Sequence, residues 1–242
     1  LTCAGGAKMS RPRQYTLAID LSLEQRLDNF VPGRNAELLA VLTAQNASFQ
    51  GVWLFGGHGS GRSHLLKGAC LQAQERGEQA VYIACAQYAE DPDRLVSQLQ
   101  SASQGGDLVA LDDVEVLIGH LELEMMVLAI YQRLLFAQGR LLVTHQQTAS
   151  SQEFVTLDVS SRMRSLQHFH LRPPQDGEKM QILSERAQQR GYVLTRAVLD
   201  YWMARGPREL GALLADLDLL DAASLVAQQK ITIPLLKQVL GY

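Results

Sequence analysis

The sequence predicts a three-layer α/β fold with a parallel β-sheet, followed by a small all-helical domain. Short apolar segments alternate with helical patterns up to residue 171, as is typical of a parallel sheet covered by helices on both faces. A glycine-rich segment directly follows the first apolar segment. Beyond Pro173 and Pro174 every pattern is helical, so we place the domain boundary there.

The apolar segments give the predicted strands, and the intervening patterns give the helices. Strands are predicted at 51–55, 80–84, 108–111, 140–144 and 169–171. Helices are predicted at 38–42, 64–76, 122–137, 177–190, 195–204, 207–228 and 233–240. The expected organisation is a leader or expression remnant at 1–8 ahead of a natural start at Met9, a flexible tail at 9–22, an α/β domain at 23–172 and a helical domain at 173–242.

Composition argues against several classes of protein. The chain has 242 residues and a formal net charge of -3, which disfavours a large electrostatic footprint for DNA. Its three cysteines form no CxxC pair, so neither a disulfide framework nor a zinc site is indicated. No apolar run is long enough to span a membrane. We therefore expect a cytoplasmic protein without membrane contact or sequence-specific DNA binding.

The glycine-rich segment has the spacing of a phosphate-binding loop. Residues 56–63 fit GxxxxGK[ST], with Arg62 in place of the usual lysine. The segment follows a predicted strand and opens a predicted helix, where backbone N–H groups converge on a phosphate. A tight turn without a ligand is the alternative. The expected nucleotide contacts are Gly57, His58, Gly59, Ser60, Gly61, Arg62, Ser63 and His64.

Two acids at the end of the third predicted strand complete this pattern. Asp112 and Asp113 follow an apolar run about fifty residues after the loop, in the arrangement of a Walker B motif. Ser63 and Asp112 are the expected Mg²⁺ ligands, Asp112 through water, and Asp113 is the expected group that polarises an attacking water. A solvated strand end is the alternative. A planar guanidinium at residue 62 is bulkier than an ammonium, so nucleotide binding can persist where hydrolysis is lost.

The order of these motifs resembles the AAA+ ATPases, and in particular the ATPase domain of the bacterial initiator DnaA, from about Leu27 to Leu240. Residues 27–31 resemble the segment that packs by the adenine, which implies base contacts from Phe30 and Val31. Residues 207–210 resemble the second sensor, which implies that Arg208 faces the nucleotide. The resemblance implies an AAA+ P-loop three-layer αβα domain with a helical lid. His145 and Gln146 depart from the acid found there in initiators, so no first sensor is assigned.

The resemblance is strongest to DnaA-homologous regulators that inactivate the initiator. Residues 230–233 match the end of the initiator's ATPase domain, after which an initiator continues into a DNA-binding domain, whereas this chain stops at Tyr242. Such a regulator holds ADP or ATP with Mg²⁺ and presents an arginine to the ATP of DnaA. Arg162 is the residue that the resemblance assigns as this arginine finger in trans.

The N-terminal tail contains a candidate docking peptide. Residues 14–19, QYTLAI, resemble the short peptide that binds the DNA polymerase sliding clamp (β subunit), with Gln14 in a polar pocket and Leu17 and Ile19 in an apolar groove. The predicted function is thus negative regulation of replication initiation, with DnaA and the clamp on DNA as partners and a homo-oligomer left open. We expect no independent turnover. An autonomous AAA+ ATPase, such as a helicase-loading factor, is the alternative.

Overall fold

The computed structural model describes residues 25–44 and 47–241. Its centre is a five-stranded, fully parallel sheet with the strand order β2-β3-β4-β1-β5. The strands are β1 (Gln50–Phe55), β2 (Ala80–Ala84), β3 (Leu108–Asp112), β4 (Arg140–His145) and β5 (Gln167–His170). Because β4 lies between β1 and β3, the carboxyl ends of these three strands are neighbours at one edge of the sheet, where α/β proteins bind ligands.

Helices cover both faces of the sheet. They are α1 (Ala36–Thr43), α2 (Arg62–Glu75), α3 (Pro92–Gln104), α4 (Leu121–Ala137) and α5 (Leu157–Arg164). Val52 and Leu54 pack in a core with α1 and α2, whereas Trp53, one residue between them, packs in a separate core with α3, α4 and α5. This alternation follows from the two-residue repeat of a strand. The predicted three-layer α/β fold with a parallel sheet is confirmed.

Two helices of this layer structure were absent from the sequence prediction, namely α3 and α5. α3 begins at Pro92, and the side chain of Asp91 caps it by accepting a hydrogen bond from the backbone N–H of Arg94. α5 is capped in the same way by Thr156. The fifth strand lies at Gln167–His170, two residues before its predicted start, and its short, polar sequence explains the offset.

The region after the sheet consists of helices with a core of their own. They are α6 (Asp176–Gln189), α7 (Arg196–Arg205), α8 (Leu210–Ala227) and α9 (Ile233–Leu240). Their core is centred on Trp202 and includes Leu213, Leu217 and Leu236. α8 begins at Leu210 rather than at the predicted residue 207, because the backbone is extended at Gly206, which caps α7, and again at Glu209.

Hydrogen bonds join the segment before α1 to Arg172, which precedes the helical region, and to the end of α6. Asn35 donates from its side-chain amide to the carbonyl of Arg172 and accepts from the backbone N–H of the same residue. Gln189 on α6 donates to the side chain of Asn29 at 2.8 Å. These bonds position the helical region over the carboxyl edge of the sheet. No helix within 25–44 or 47–241 has the length and apolar character to cross a membrane.

Candidate functional site

The glycine-rich segment forms a loop between β1 and the first turn of α2. Gly59 and Gly61 have positive φ angles of 67° and 99°, which an L side chain rarely adopts. A Cβ atom on Gly56 would lie 2.5 Å from the carbonyl oxygen of Leu171, so this position has no room for a side chain. The loop therefore leads the backbone into the positive end of the α2 dipole, where an anion is stabilised.

A cavity of about 550 Å³ opens over this loop. Its wall combines the loop with the carboxyl edge of the sheet and with Gly211 and Leu214 of α8. The sequence-predicted residues on its wall are His58, Gly59, Ser60, Gly61, Arg62, Ser63, His64 and Asp113. Gly57 and Asp112, which were also predicted, are sequence neighbours of the lining residues His58 and Asp113 but do not line the cavity themselves.

A smaller cavity of about 60 Å³ adjoins the loop on its other side. Phe30 and Val31 line it together with Ser60, Gly61 and His64, and the helical region contributes Ile182 and Leu214 among others. The Phe30 ring lies 5.7 Å from the His64 ring, centroid to centroid. The structure thus brings Phe30 and Val31 beside the loop, and contact of these two residues with a base stays a prediction.

His64 lines both cavities and is neutral. Its Nε2–H donates to the backbone carbonyl of Arg26 at 2.9 Å. Burial lowers the pKa of the imidazole to about 4, since a charged ring would lose its hydration. At neutral pH the residue therefore presents an uncharged aromatic ring between the two cavities.

Asp112 is buried at the end of β3, and hydrogen bonds occupy both of its carboxyl oxygens. Thr144 on β4 donates to Oδ1 at 2.5 Å, and the Tyr82 hydroxyl donates to Oδ2 at 2.7 Å. Burial and the neighbouring Asp112 raise the pKa of the Tyr82 hydroxyl, so it remains a donor. These two side chains fix the orientation of Asp112.

Asp113 turns toward the cavity because its backbone has a left-handed φ of 53°. Its N–H donates to Thr144 Oγ1 at 2.8 Å, so Thr144 holds both acids at once. Burial, and secondarily the proximity of Asp112, raise the pKa of the Asp113 carboxyl, while Arg62 opposes the shift. The pair of acids predicted from sequence is therefore held by one hydroxyl on the neighbouring strand.

Arg62 faces these acids rather than solvent. Its side chain is 9% exposed, and Nη2 lies 3.0 Å from Asp113 Oδ1. Nη1 lies 3.7 Å from Glu115 Oε1, and among the described residues this buried Nη1 has no hydrogen-bond acceptor. Arg62 therefore links the loop to the carboxyl edge of the sheet and retains an unused donor.

Glu115 and the segment after β4 complete this edge. Glu115 Oε1 accepts from the backbone N–H of Gln146 at 2.7 Å. His145 Nδ1 lies 3.8 Å from the same oxygen but accepts from the N–H of Gln147, and burial lowers the pKa of the ring. The ring is therefore neutral, and its contact with Glu115 is not an ion pair.

The two arginines predicted outside the loop lie on the surface. Arg162 is exposed on α5, with its guanidinium carbon 5.8 Å from the centroid of the Tyr131 ring, and it lines neither cavity. Arg208 lies before α8 with its side chain 71% exposed and pairs with Asp176 at 3.4 Å. It also lines neither cavity. The clamp-binding prediction for Gln14, Leu17 and Ile19 falls outside the described residues.

Sequence reasoning missed three polar residues of this site: Tyr82, Glu115 and Thr144. Glu115 could have been found as an acid two positions after Asp113, and Thr144 as a hydroxyl residue at the end of a buried strand. Tyr82 gave none, because a tyrosine at this position of a strand also fits an ordinary core. Within 25–44 and 47–241 no group of three or more His, Cys, Asp and Glu side chains forms a metal cluster.

Comparison with known proteins agrees with this architecture. Residues 21–168 match the sequence model of the bacterial DnaA ATPase domain, and residues 176–240 match that of the Hda lid domain. Domain III of DnaA from Thermotoga maritima superposes with a TM-score of 0.74 at 18% identity, covering 92% of this chain and 98% of that chain.

Two further solved structures share the fold. DnaA from Aquifex aeolicus bound to AMPPCP has a TM-score of 0.66 at 20% identity, covering 83% of this chain and 67% of that one. The RuvB Holliday junction branch migration motor from Thermotoga maritima has a TM-score of 0.61 at 14% identity, covering 90% and 71%. These likenesses confirm the AAA+ fold with a helical lid. By the two family matches, the chain belongs to the bacterial DnaA ATPase family and is an Hda-like DnaA homologue.

Proposed function

We propose that this DnaA-related replication regulator binds an adenine nucleotide, docks on the sliding clamp and stimulates hydrolysis of the ATP bound to DnaA. It would thereby prevent a second initiation from the same origin. The proposal assigns the nucleotide to the two cavities around the loop and the stimulating group to Arg162. The chemistry would take place on DnaA.

The residues around the loop fit an adenine nucleotide. Backbone N–H groups of the loop and the Nη1 donor of Arg62, buried without an acceptor, suit phosphate oxygens. Phe30 and Val31 line the smaller cavity next to the loop, where their apolar side chains suit a flat base. ADP or ATP would therefore lie with its phosphates in the larger cavity. Arg208 would reach it only after leaving Asp176.

A Mg²⁺ ion would be held at the junction of the loop and the sheet. Ser63 and Asp113 both line the larger cavity and would be the nearest ligands of the ion. Asp112 would act through water, since its two oxygens already accept hydrogen bonds. When bound, Mg²⁺ would neutralise phosphate charge and help to orient the nucleotide.

The observation that carries the proposal is the location of Arg162. Its guanidinium is exposed on α5, away from both cavities of its own chain, and rests on the Tyr131 ring. A guanidinium presented at a protein surface can enter a neighbouring protein's nucleotide site. There it would stabilise the charge that develops on the transferring phosphoryl group, which is the role of an arginine finger.

The Arg62–Asp113 ion pair supports the absence of independent turnover. Asp113 is the carboxylate expected to polarise an attacking water, and its Oδ1 lies 3.0 Å from Arg62 Nη2. The guanidinium opposes the rise in the pKa of Asp113 that burial causes, and it leaves less room beside the carboxylate for an attacking water. The alternative, an autonomous AAA+ ATPase such as a helicase-loading factor, draws its support from the paired acids Asp112 and Asp113.

The experiment that tests the proposal uses DnaA preloaded with labelled ATP, together with clamp loaded on DNA. Wild-type protein is compared with Arg162→Ala and with Arg164→Ala, a second exposed arginine on the same helix. We expect Arg162→Ala to lose stimulation by at least tenfold while Arg164→Ala retains it, as expected for one transition-state contact. Normal stimulation by Arg162→Ala would refute the assignment.

A further inference from the structure

Glu115 and Arg62 form an incomplete contact at the phosphate end of the larger cavity. Arg62 Nη1 and Glu115 Oε1 are 3.7 Å apart, beyond hydrogen-bond distance, whereas Nη2 already pairs with Asp113 at 3.0 Å. Both Nη1 and Glu115 Oε2 are buried without a hydrogen-bond partner among the described residues. Arg62 as a whole is only 8% exposed, so water has little access to Nη1 and does not replace the missing acceptor.

The geometry points to Glu115 as a residue that competes with the nucleotide's phosphates for Arg62, and thereby makes nucleotide affinity depend on Mg²⁺. Nothing in the proposed function requires this role, but it rests on the proposed nucleotide binding. Glu115 would be a positioning residue, since it acts on the phosphates through Arg62.

The position of Glu115 is fixed by the backbone around it. It lies in the 3-10 helix Val114–Leu117 that directly follows Asp113, and its Oε1 accepts from the N–H of Gln146 at 2.7 Å. The carboxylate therefore cannot swing away freely when a phosphate arrives. Its negative charge remains close to the loop, on the same cavity wall as Arg62.

The charges at this wall are unbalanced. Asp113 and Glu115 face a single guanidinium, and the neighbouring His145 ring is neutral. A phosphate at the loop adds further negative charge within a few ångströms of both acids, and it can gain Nη1 only in competition with Glu115. Without a second cation, the two acids therefore oppose the nucleotide.

With Mg²⁺ present the balance changes. The carboxylates would then face a second cation, so Glu115 would attract Nη1 of Arg62 less strongly and Nη1 could donate to a phosphate oxygen, while Nη2 stays on Asp113. The fixed fork of a guanidinium allows two different acceptors at once, which the ammonium of a lysine would do less well. Arg62 and Glu115 would thus act together to set the Mg²⁺ dependence of nucleotide affinity.

The test measures the affinity of a fluorescent ADP analogue for the full chain, with Mg²⁺ and with EDTA. We compare the wild type with Glu115→Gln and with Glu122→Gln, which removes an exposed acid at the start of α4. EDTA should lower the affinity of the wild type for the ADP analogue, and this fold-loss should be roughly ten times larger than the fold-loss in Glu115→Gln. A difference of about tenfold corresponds to one charge-assisted contact. Glu122→Gln should behave as the wild type.

The same titrations in an Arg62→Ala background separate a role through Arg62 from direct repulsion. If Glu115 acts through Arg62, the additional Glu115→Gln change should no longer alter the Mg²⁺ dependence. An equal effect of Glu115→Gln in both backgrounds, or no effect in either, would overturn the inference while leaving the proposed function intact. Failure of the wild type to bind ADP even with Mg²⁺ would overturn both.

Discussion

Replacing Thr144 by valine should destabilise the sheet and remove one hydrogen bond from each acid at its carboxyl edge. Thr144 is fully buried on β4, where Oγ1 donates to Asp112 and accepts from the N–H of Asp113. Valine has nearly the same shape but leaves a carboxyl oxygen and an N–H without partners. We expect a loss of about 3–5 kcal/mol in the free energy of unfolding, since each orphaned group costs about 1–3 kcal/mol.

Thr144→Ser is the matched control, because serine retains the hydroxyl and loses only a methyl group worth about 1 kcal/mol. Urea unfolding is followed by tryptophan fluorescence in a Trp202→Phe background without nucleotide, so that Trp53 alone reports on the sheet. Trp53 lies on β1, which pairs with β4. Equal destabilisation by valine and serine would refute the hydrogen-bonding role of Thr144.

Three further predictions concern the loop, the tail and a buried thiol. Gly56→Ala should cost about 1–3 kcal/mol in urea unfolding because its Cβ would meet the Leu171 carbonyl, whereas Gly57→Ala, with open space, should be nearly neutral. Gln14→Ala should weaken retention on immobilised clamp, and unchanged retention would remove the tail assignment. Burial raises the pKa of the Cys70 thiol to about 12, so iodoacetamide at pH 8 should not alkylate it until urea is added. Alkylation of Cys70 in the native protein, detected by mass spectrometry, would contradict its burial.

The three central strands of the sheet were predictable because they are buried on both faces. β1, β3 and β4 are continuous apolar runs in which neighbouring residues such as Trp53 and Leu54 enter different cores. Such runs differ clearly from the polar connections around them. The positive φ of Gly77 after α2, 81°, likewise agrees with the helix end predicted there.

α3 was not predictable by the same reasoning. Only Leu95, Leu99 and Ala102 are buried, at a helical spacing, and most of the other positions are glutamine, serine or charged. α5 buries even fewer apolar side chains, Val159 and Met163. In both helices the tertiary contacts with α4 stabilise a segment whose own sequence signal is weak.

Within the candidate site, residue types could be predicted but not their partners. The spacing of the loop and the strand-end acids identified Arg62 and Asp113, yet their ion pair depends on the strand order and on the left-handed φ of Asp113. A carboxylate at residue 115 acquires its role only through that geometry. The surface location of Arg162 is also a tertiary property, because it depends on how α5 packs against α4.

Stimulation of DnaA is tested by measuring the hydrolysis of labelled ATP in a mixture of DnaA, clamp-loaded DNA and this protein, with each component omitted in turn. We expect hydrolysis to rise only when all of these components are present, and we expect no steady turnover by this protein alone. Equal turnover without DnaA would contradict this expectation and would make the chain an ATPase in its own right.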